Sequence, residues 1–252
     1  LNVEVEGSML LAFVISLQAV IYTYDGWSGA IYFSEEFREP GKQIPRSMFG
    51  GIGAVIVIYL LINIAFLRVL PLASIAGRNL AAGVVAQHLF GVYGDTVLRS
   101  LTIVALISAV NSNLMMAPRV LFAMSRDRLF WRGAAEVNAG GTPDVALLIS
   151  TILTAAFIVT GTFEAVIAKL AFCFVANYSL SFVSLFVLRH TAPDAPRPWR
   201  AWGHPVTTAI ALVASLAFLA SAVISDTRNS LWSLGFLALS WPVYWMGKRM
   251  RR

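Results

Sequence analysis

Long runs of apolar residues, separated by short polar stretches, extend along almost the whole chain. Seven of these runs approach the roughly 20 residues that a transmembrane helix needs, and shorter runs are accommodated near the membrane interface. None alternates apolar and polar residues with the period that is typical of a barrel strand. The pattern predicts an all-α integral membrane protein, a single transmembrane domain over 1–252, with spans at 9–34, 48–70, 97–125, 145–162, 166–188, 206–225 and 231–246.

The composition agrees with this interpretation. Hydrophobic residues make up 58% of the chain and charged residues only 13%, whereas a soluble domain has about a quarter of its residues charged. The single cysteine, Cys173, lies inside an apolar run and has no second thiol with which to form an internal disulfide or a metal site. The composition therefore excludes a soluble globular domain.

The basic residues are distributed unevenly between alternate connections. One set of connections holds most of the 19 Lys and Arg residues: Arg38, Lys42, Arg46, Arg126, Arg128, Arg132, Arg189, Arg197, Arg200, Lys248, Arg249, Arg251 and Arg252. The other set holds Arg68, Arg78, Arg99, Lys169 and Arg228, and Arg119 lies within the third span. Because basic loops stay in the cytoplasm, we predict an outside N-terminus and a cytoplasmic C-terminus in a plasma or bacterial inner membrane. The net charge of +6 then marks topology, and nucleic acid is not an expected partner.

The first span contains a break in its apolar pattern. Asp25 stands near its middle, and Gly26 and Gly29 flank Trp27. A carboxylate at membrane depth costs about 2.5 to 3.5 kcal/mol, so Asp25 should face protein or water. Interrupted helices at this depth line cavities, where backbone groups and helix dipoles bind small charged solutes. The alternative is a close-packing glycine motif in which Asp25 pairs with a basic residue of a neighbouring helix.

Several motifs give the chain a family resemblance. The sequence Tyr-Asp-Gly-Trp at 24–27 resembles the sixth helix of the amino acid-polyamine-organocation transporters. The residues after it resemble the next cytoplasmic loop of that family: Glu35-Glu36, Pro40 and Ile44-Pro45-Arg46. The segment 119–127 is similar to the end of the family's eighth helix. Further matches, to the start of the ninth helix and the end of the tenth, are Thr142-Pro143, Leu188-Arg189, Pro193 and Arg197-Pro198.

The resemblance implies a fold and an activity. The family fold consists of two inverted five-helix repeats of the LeuT type plus two extra helices, with the substrate held at mid-membrane between broken helices one and six. On that map the chain corresponds to helices six to twelve, and the first repeat is expected to be absent. The implied activity is secondary active transport of amino acids or related amines by alternating access, present here as an incomplete transporter.

The candidate substrate-binding residues are Tyr22, Tyr24, Asp25, Gly26, Trp27, Ser28, Asn111 and Asn177. In the implied mechanism the break meets the substrate ammonium, and one of the aromatic residues closes over it. Asp25 either attracts a second positive charge on the substrate or couples a proton. Asn111 and Asn177, the latter beside Tyr178, either line the path or hydrogen-bond between helices. Lys169, one turn into its helix, is expected to snorkel outward.

The expected partners are an amino acid or amine, either a proton or an exchanged amino acid, and the lipid bilayer. The chain would act with a second copy of itself or with the missing N-terminal half, as an antiporter or a symporter. We expect no cofactor, no metal and no catalytic residues.

The competing interpretations are a seven-helix receptor-like or retinal protein, a non-transporting fragment and an intramembrane enzyme. The last span lacks the lysine that retinal requires, and an enzyme would need more than Asp25 at membrane depth.

Overall fold

The computed structural model describes residues 9–78, 80–159 and 162–249, and in these residues the regular structure is helical, without strands. Short 3-10 segments lie at Gly29–Glu36 and Arg132–Ala135. The α-helices are α1 (Met9–Tyr24), α2 (Pro40–Val69), α3 (Leu72–Ile75), α4 (Ala81–Phe90), α5 (Val92–Arg126), α6 (Asp144–Val159), α7 (Phe163–Thr191), α8 (Val206–Ser225) and α9 (Thr227–Arg249).

Each of the seven apolar runs overlaps one of these helices, and several helices extend beyond the predicted bounds. Among the described residues, α2, α5, α7 and α8 are both long and apolar enough to cross a membrane. Membrane crossing by α1, α6 and α9 stays a prediction, as does the inverted-repeat arrangement. Residues 160 and 161 of the predicted fourth span, and the basic residues Arg251 and Arg252, lie outside the described residues.

Local chemistry explains several helix ends. Pro40 occupies the first turn of α2, where its missing N–H costs no helical hydrogen bond. The side chain of Thr162 caps α7 by accepting a hydrogen bond from the Ala165 N–H at 3.4 Å. At the other end of α7, Ala192 adopts a non-helical conformation, and a proline-rich connection comes next. These signals set the length of α7 at 29 residues, about 43 Å at 1.5 Å per residue.

The chain divides into two compact units. The first comprises the described residues of 29–117, in which the 3-10 segment and α4 both contact α2. Its glycines allow close backbone approach, because a Cβ on Gly94 would collide with the Ala86 carbonyl and one on Gly83 with the Asp95 carboxylate. The start of α5 therefore lies close against α4 in this unit.

The second unit comprises 9–28 and 118–249 without the undescribed pair 160 and 161, and α7 is its centre. Helix α7 contacts α1, α8 and α9, and α1 also contacts α8. Val14 of α1, Phe172 of α7 and Ala222 of α8 form a buried cluster. The interrupted helix α1 is therefore docked on α7 and α8 by apolar packing.

The expectation that Lys169 snorkels outward is wrong. Its side chain is only 4% exposed, and Nζ lies 6.0 Å from the ring centroid of Phe157. This part of α7 packs against α9, where fully buried Ser233 donates a hydrogen bond to the Lys169 carbonyl at 3.4 Å. The Lys169 amine lies over an aromatic ring, whose quadrupole attracts a cation. The side chain therefore stays inside the unit.

Candidate functional site

The break predicted in the first apolar run lies where α1 ends. The helix stops at Tyr24, residues 25–28 form a turn, and the 3-10 segment begins at Gly29. Gly26 has a φ of +105°, a left-handed conformation that favours glycine because an L side chain would clash with its own backbone. The last turn of any helix leaves carbonyl groups without intrahelical partners. The turn therefore offers backbone acceptors beside the Asp25 carboxylate.

Tyr178, at the middle of α7, joins the two side chains that flank Gly26. Its hydroxyl group donates a hydrogen bond to Oδ1 of Asp25, and the indole N–H of Trp27 donates to the Tyr178 hydroxyl oxygen at 3.2 Å. The rings of Trp27 and Tyr178 have centroids 5.5 Å apart and are tilted by 55°. Since the left-handed Gly26 turns the chain, residues 25 and 27 both reach the same phenol. The result is a directed chain of hydrogen bonds that ends on a carboxylate.

The aromatic residues of this region are accessible. Asp25 and Tyr178 are half-buried, while Tyr22, Tyr24 and Trp27 are 39%, 37% and 39% exposed. An exposed aromatic face beside a half-buried carboxylate can receive a cation, because the ring quadrupole and the charge both favour it. We define Asp25, Gly26, Trp27 and Tyr178 as the break cluster.

The other predicted residues occupy separate positions. Ser28 is half-buried at the end of the turn. Asn177 is exposed on α7, and its carbonyl accepts a hydrogen bond from the Ser181 hydroxyl at 3.0 Å. Asn111 lies in the first unit, exposed on α5. Within the second unit the structure thus brings Asp25 and Trp27 together, and it places Tyr178 rather than Asn177 against them.

Two polar residues gain importance only from the structure. Tyr178 is a phenol in the middle of an apolar helix, and that feature was the available signal, although the pattern gave no reason to prefer it to Asn177. Gln18 is an amide in α1 that is only 5% exposed. Among the described residues, no three or more His, Cys, Asp or Glu side chains are placed to hold a metal ion.

Comparisons with known proteins give the chain a family. A family model described as amino acid permease matches residues 2–246. The serine/threonine exchanger SteT of Bacillus subtilis (strain 168) is 28% identical over 244 residues, which are 95% of this chain and 56% of that protein. Mouse solute carrier family 7 member 12 is 26% identical over 227 residues, which cover 90% of this chain and 48% of that protein.

A third relative is the rat b(0,+)-type amino acid transporter 1, which is 27% identical over 227 residues, 86% of this chain and 43% of that protein. The chain spans about half the length of the curated relatives it matches. The motifs at 24–27 and 119–127 lie within the matched range, so the match agrees with the family resemblance that these motifs carry. This chain is a multi-pass membrane protein that belongs to the amino acid permease family.

Proposed function

We propose that the chain takes part in secondary active transport of amino acids or related amines by alternating access, with the break cluster as the substrate site. The observation that carries this proposal is the Trp27–Tyr178–Asp25 hydrogen-bond chain at a helix break, within a member of a permease family. Two of the relatives are named as a serine/threonine exchanger and as an amino acid transporter, which supports an amino acid substrate.

The substrate ammonium group binds at the break. Backbone carbonyls at the end of α1 carry the negative end of the helix dipole, and Asp25 adds a full charge. Tyr22, Tyr24 or Trp27 closes over the bound cation, which gains about 0.5 to 2 kcal/mol from an aromatic face. Ser28, half-buried at the end of the turn, supplies a further hydrogen bond to the substrate. Because Asp25 adds a charge at a site of low dielectric, the site favours a substrate with a second positive group.

We infer from the same site whether transport is coupled to exchange of a second amino acid or to a proton. A carboxylate that binds a cationic substrate is compensated by that substrate, so exchange of one amino acid for another keeps Asp25 neutralised. The name of the Bacillus relative, an exchanger, supports exchange. Proton coupling through Asp25 is the competing mode.

The site is completed by a second set of helices. Alternating access in this fold moves one repeat against the other around a site that both repeats form. Half-buried Asp25 and the carbonyls of the break would otherwise face lipid, where each unsatisfied polar group costs several kcal/mol. We therefore propose that these 252 residues do not transport alone and need either helices equivalent to the first repeat or a second copy of the same residues.

Reconstitution tests this proposal. The purified 252-residue chain and the same chain co-expressed with a five-helix first repeat from a relative are placed in separate liposomes loaded with unlabelled amino acid. We expect saturable, competable uptake of labelled lysine or arginine only in the co-expressed sample, with protein-free liposomes as the blank. Saturable uptake by the chain alone would show that these residues are sufficient for transport and would contradict the proposed need for a first repeat. Absence of uptake by a folded, co-purified pair would contradict the transport function.

A further inference from the structure

Helix α1 contains a buried amide on its packed face. Gln18 is 5% exposed, and its Nε2 donates a hydrogen bond to Oδ2 of Asp226 at 3.5 Å. Gln18 lies four residues after fully buried Val14, so the two side chains occupy the same face of the helix. Val14 packs with Phe172 and Ala222. The face of α1 that docks on the rest of the second unit thus has one apolar contact and, one turn later, one polar contact.

Asp226 is itself fixed by both helices that it connects. Its backbone N–H donates to the Ala222 carbonyl at the end of α8 at 2.8 Å. Each of its carboxylate oxygens accepts from Nδ2 of Asn229, in the first turn of α9, at 3.1 Å. A carboxylate at the N-terminus of α9 is further stabilised by the helix dipole. Asp226 is therefore a rigid acceptor at the α8–α9 connection.

The two polar contacts of α1 lie about two helical turns apart, since seven residues separate Gln18 from Asp25. One contact joins α1 to the α8–α9 connection, and the other joins the end of α1 to Tyr178 of α7. A buried amide without a hydrogen-bond partner is costly. The docked position of α1 is therefore most stable when both hydrogen bonds are formed.

We infer that Asp226 is a positioning residue that acts through Gln18: it holds α1 against the second unit so that Asp25 and Trp27 meet Tyr178. This inference rests on the proposed function in so far as α1 carries the proposed substrate site. The anchor itself is a property of the 252-residue chain and is measured without any substrate.

The anchor is tested by thiol labelling of the 252-residue chain in detergent at about pH 8, where maleimides react readily with exposed thiols. The native cysteine is removed by Cys173→Ala, and Val14→Cys places a thiol at a fully buried position of α1. A maleimide reacts with this thiol only when α1 leaves its packed position, so the labelling rate reports the population of the undocked helix.

Four variants are compared in this background. Gln18→Leu keeps the packing volume and removes the bond, and we expect labelling about five-fold faster. Gln18→Glu sets two carboxylates against each other, with labelling about ten-fold faster or more. Asp226→Asn is the matched control, because its amide oxygen still accepts from Gln18, and it should label within about two-fold of the background. The double variant Gln18→Glu, Asp226→Asn reverses donor and acceptor and should restore slow labelling.

Restoration by the reversed pair is the result that a general loss of stability cannot produce. The inference is overturned if Gln18→Leu and Gln18→Glu label at the background rate. It is also overturned if Asp226→Asn fails to rescue Gln18→Glu. Uptake in liposomes plays no part in this measurement, so a failure of the transport proposal and a failure of the anchor are seen separately.

Discussion

The phenol of Tyr178 donates a hydrogen bond to the Asp25 carboxylate and so joins the middle of α7 to the end of the interrupted helix α1. The same phenol accepts a hydrogen bond from Trp27, two residues further along the chain. One side chain of α7 therefore holds two side chains of the turn, Asp25 and Trp27. The charge and the hydrogen bond at Asp25 can be removed separately by substitution.

Asp25→Asn removes the charge and keeps an oxygen that accepts from Tyr178. In a transport-competent assembly we expect lysine and arginine to lose about ten-fold or more in apparent affinity relative to neutral amino acids, which corresponds to about 1.4 kcal/mol. Tyr178→Phe is the complementary variant, because it removes the hydrogen bond and keeps the charge, and it should retain the preference for dibasic substrates. The measurement is competition by neutral and dibasic amino acids for uptake of one labelled substrate. Equal losses for both substrate classes would make Asp25 a structural or coupling residue.

Gly26→Ala tests the left-handed turn. Nothing lies within 4 Å of a Cβ at this position, so the cost arises from the backbone, whose φ is +105°. We expect the free energy of unfolding to fall by about 1 to 2 kcal/mol. Gly51→Ala is the matched control, because Gly51 is helical, a Cβ there also meets nothing within 4 Å, and alanine should stabilise the helix by about 1 kcal/mol. Denaturant unfolding in detergent measures both; equal effects of the two substitutions would contradict a strained turn.

Membrane orientation is tested by single cysteines in a Cys173→Ala background. The predicted outer connection between α8 and α9 is labelled at exposed Thr227, and the opposite side of the membrane at exposed Ala195. If the basic connections are cytoplasmic, an impermeant thiol reagent added to intact cells labels Thr227→Cys at once. Ala195→Cys should react only after the cells are opened. The reverse pattern would invert the predicted topology.

The Arg197 side chain binds the C-terminal end of α7, in one of the basic connections. Its guanidinium group donates to the carbonyls of Leu188, Ala192, Pro193 and Ala195 at distances from 2.5 to 3.2 Å. The Leu188 carbonyl lies in the last turn of α7 and the Ala192 carbonyl at its C-cap, where a cation also complements the helix dipole. We expect Arg197→Ala to lower the free energy of unfolding by about 1 to 3 kcal/mol.

Arg200 supplies the control for this substitution. It is an exposed arginine in the same connection, so Arg200→Ala removes an equal charge and should change stability by less than about 0.5 kcal/mol. Thermal unfolding of both variants in one detergent gives the comparison. Similar losses for the two would assign the effect to net charge rather than to the helix end.

The helices and the position of the break could be predicted from the sequence because both depend on neighbours in the chain. Apolar runs of sufficient length form helices in a membrane, where every backbone group must be satisfied internally. A carboxylate beside Gly26 marks a place where such a helix cannot continue. The family resemblance rests on the same short motifs and agrees with the match over residues 2–246.

The contacts of the break could not be predicted, because they join residues far apart in sequence. Asp25 and Tyr178 are 153 residues apart, and Gln18 and Asp226 are 208 apart. Asn177 and Tyr178 differ in direction by about 100° around the helix axis, and only the packing of α7 on α1 decides which of them faces the turn. Packing likewise buried Lys169, which sequence reasoning placed at the surface. The sequence by itself determined where helices form and where one breaks; the tertiary structure decided which polar side chains meet, because helix packing selects one face of each helix.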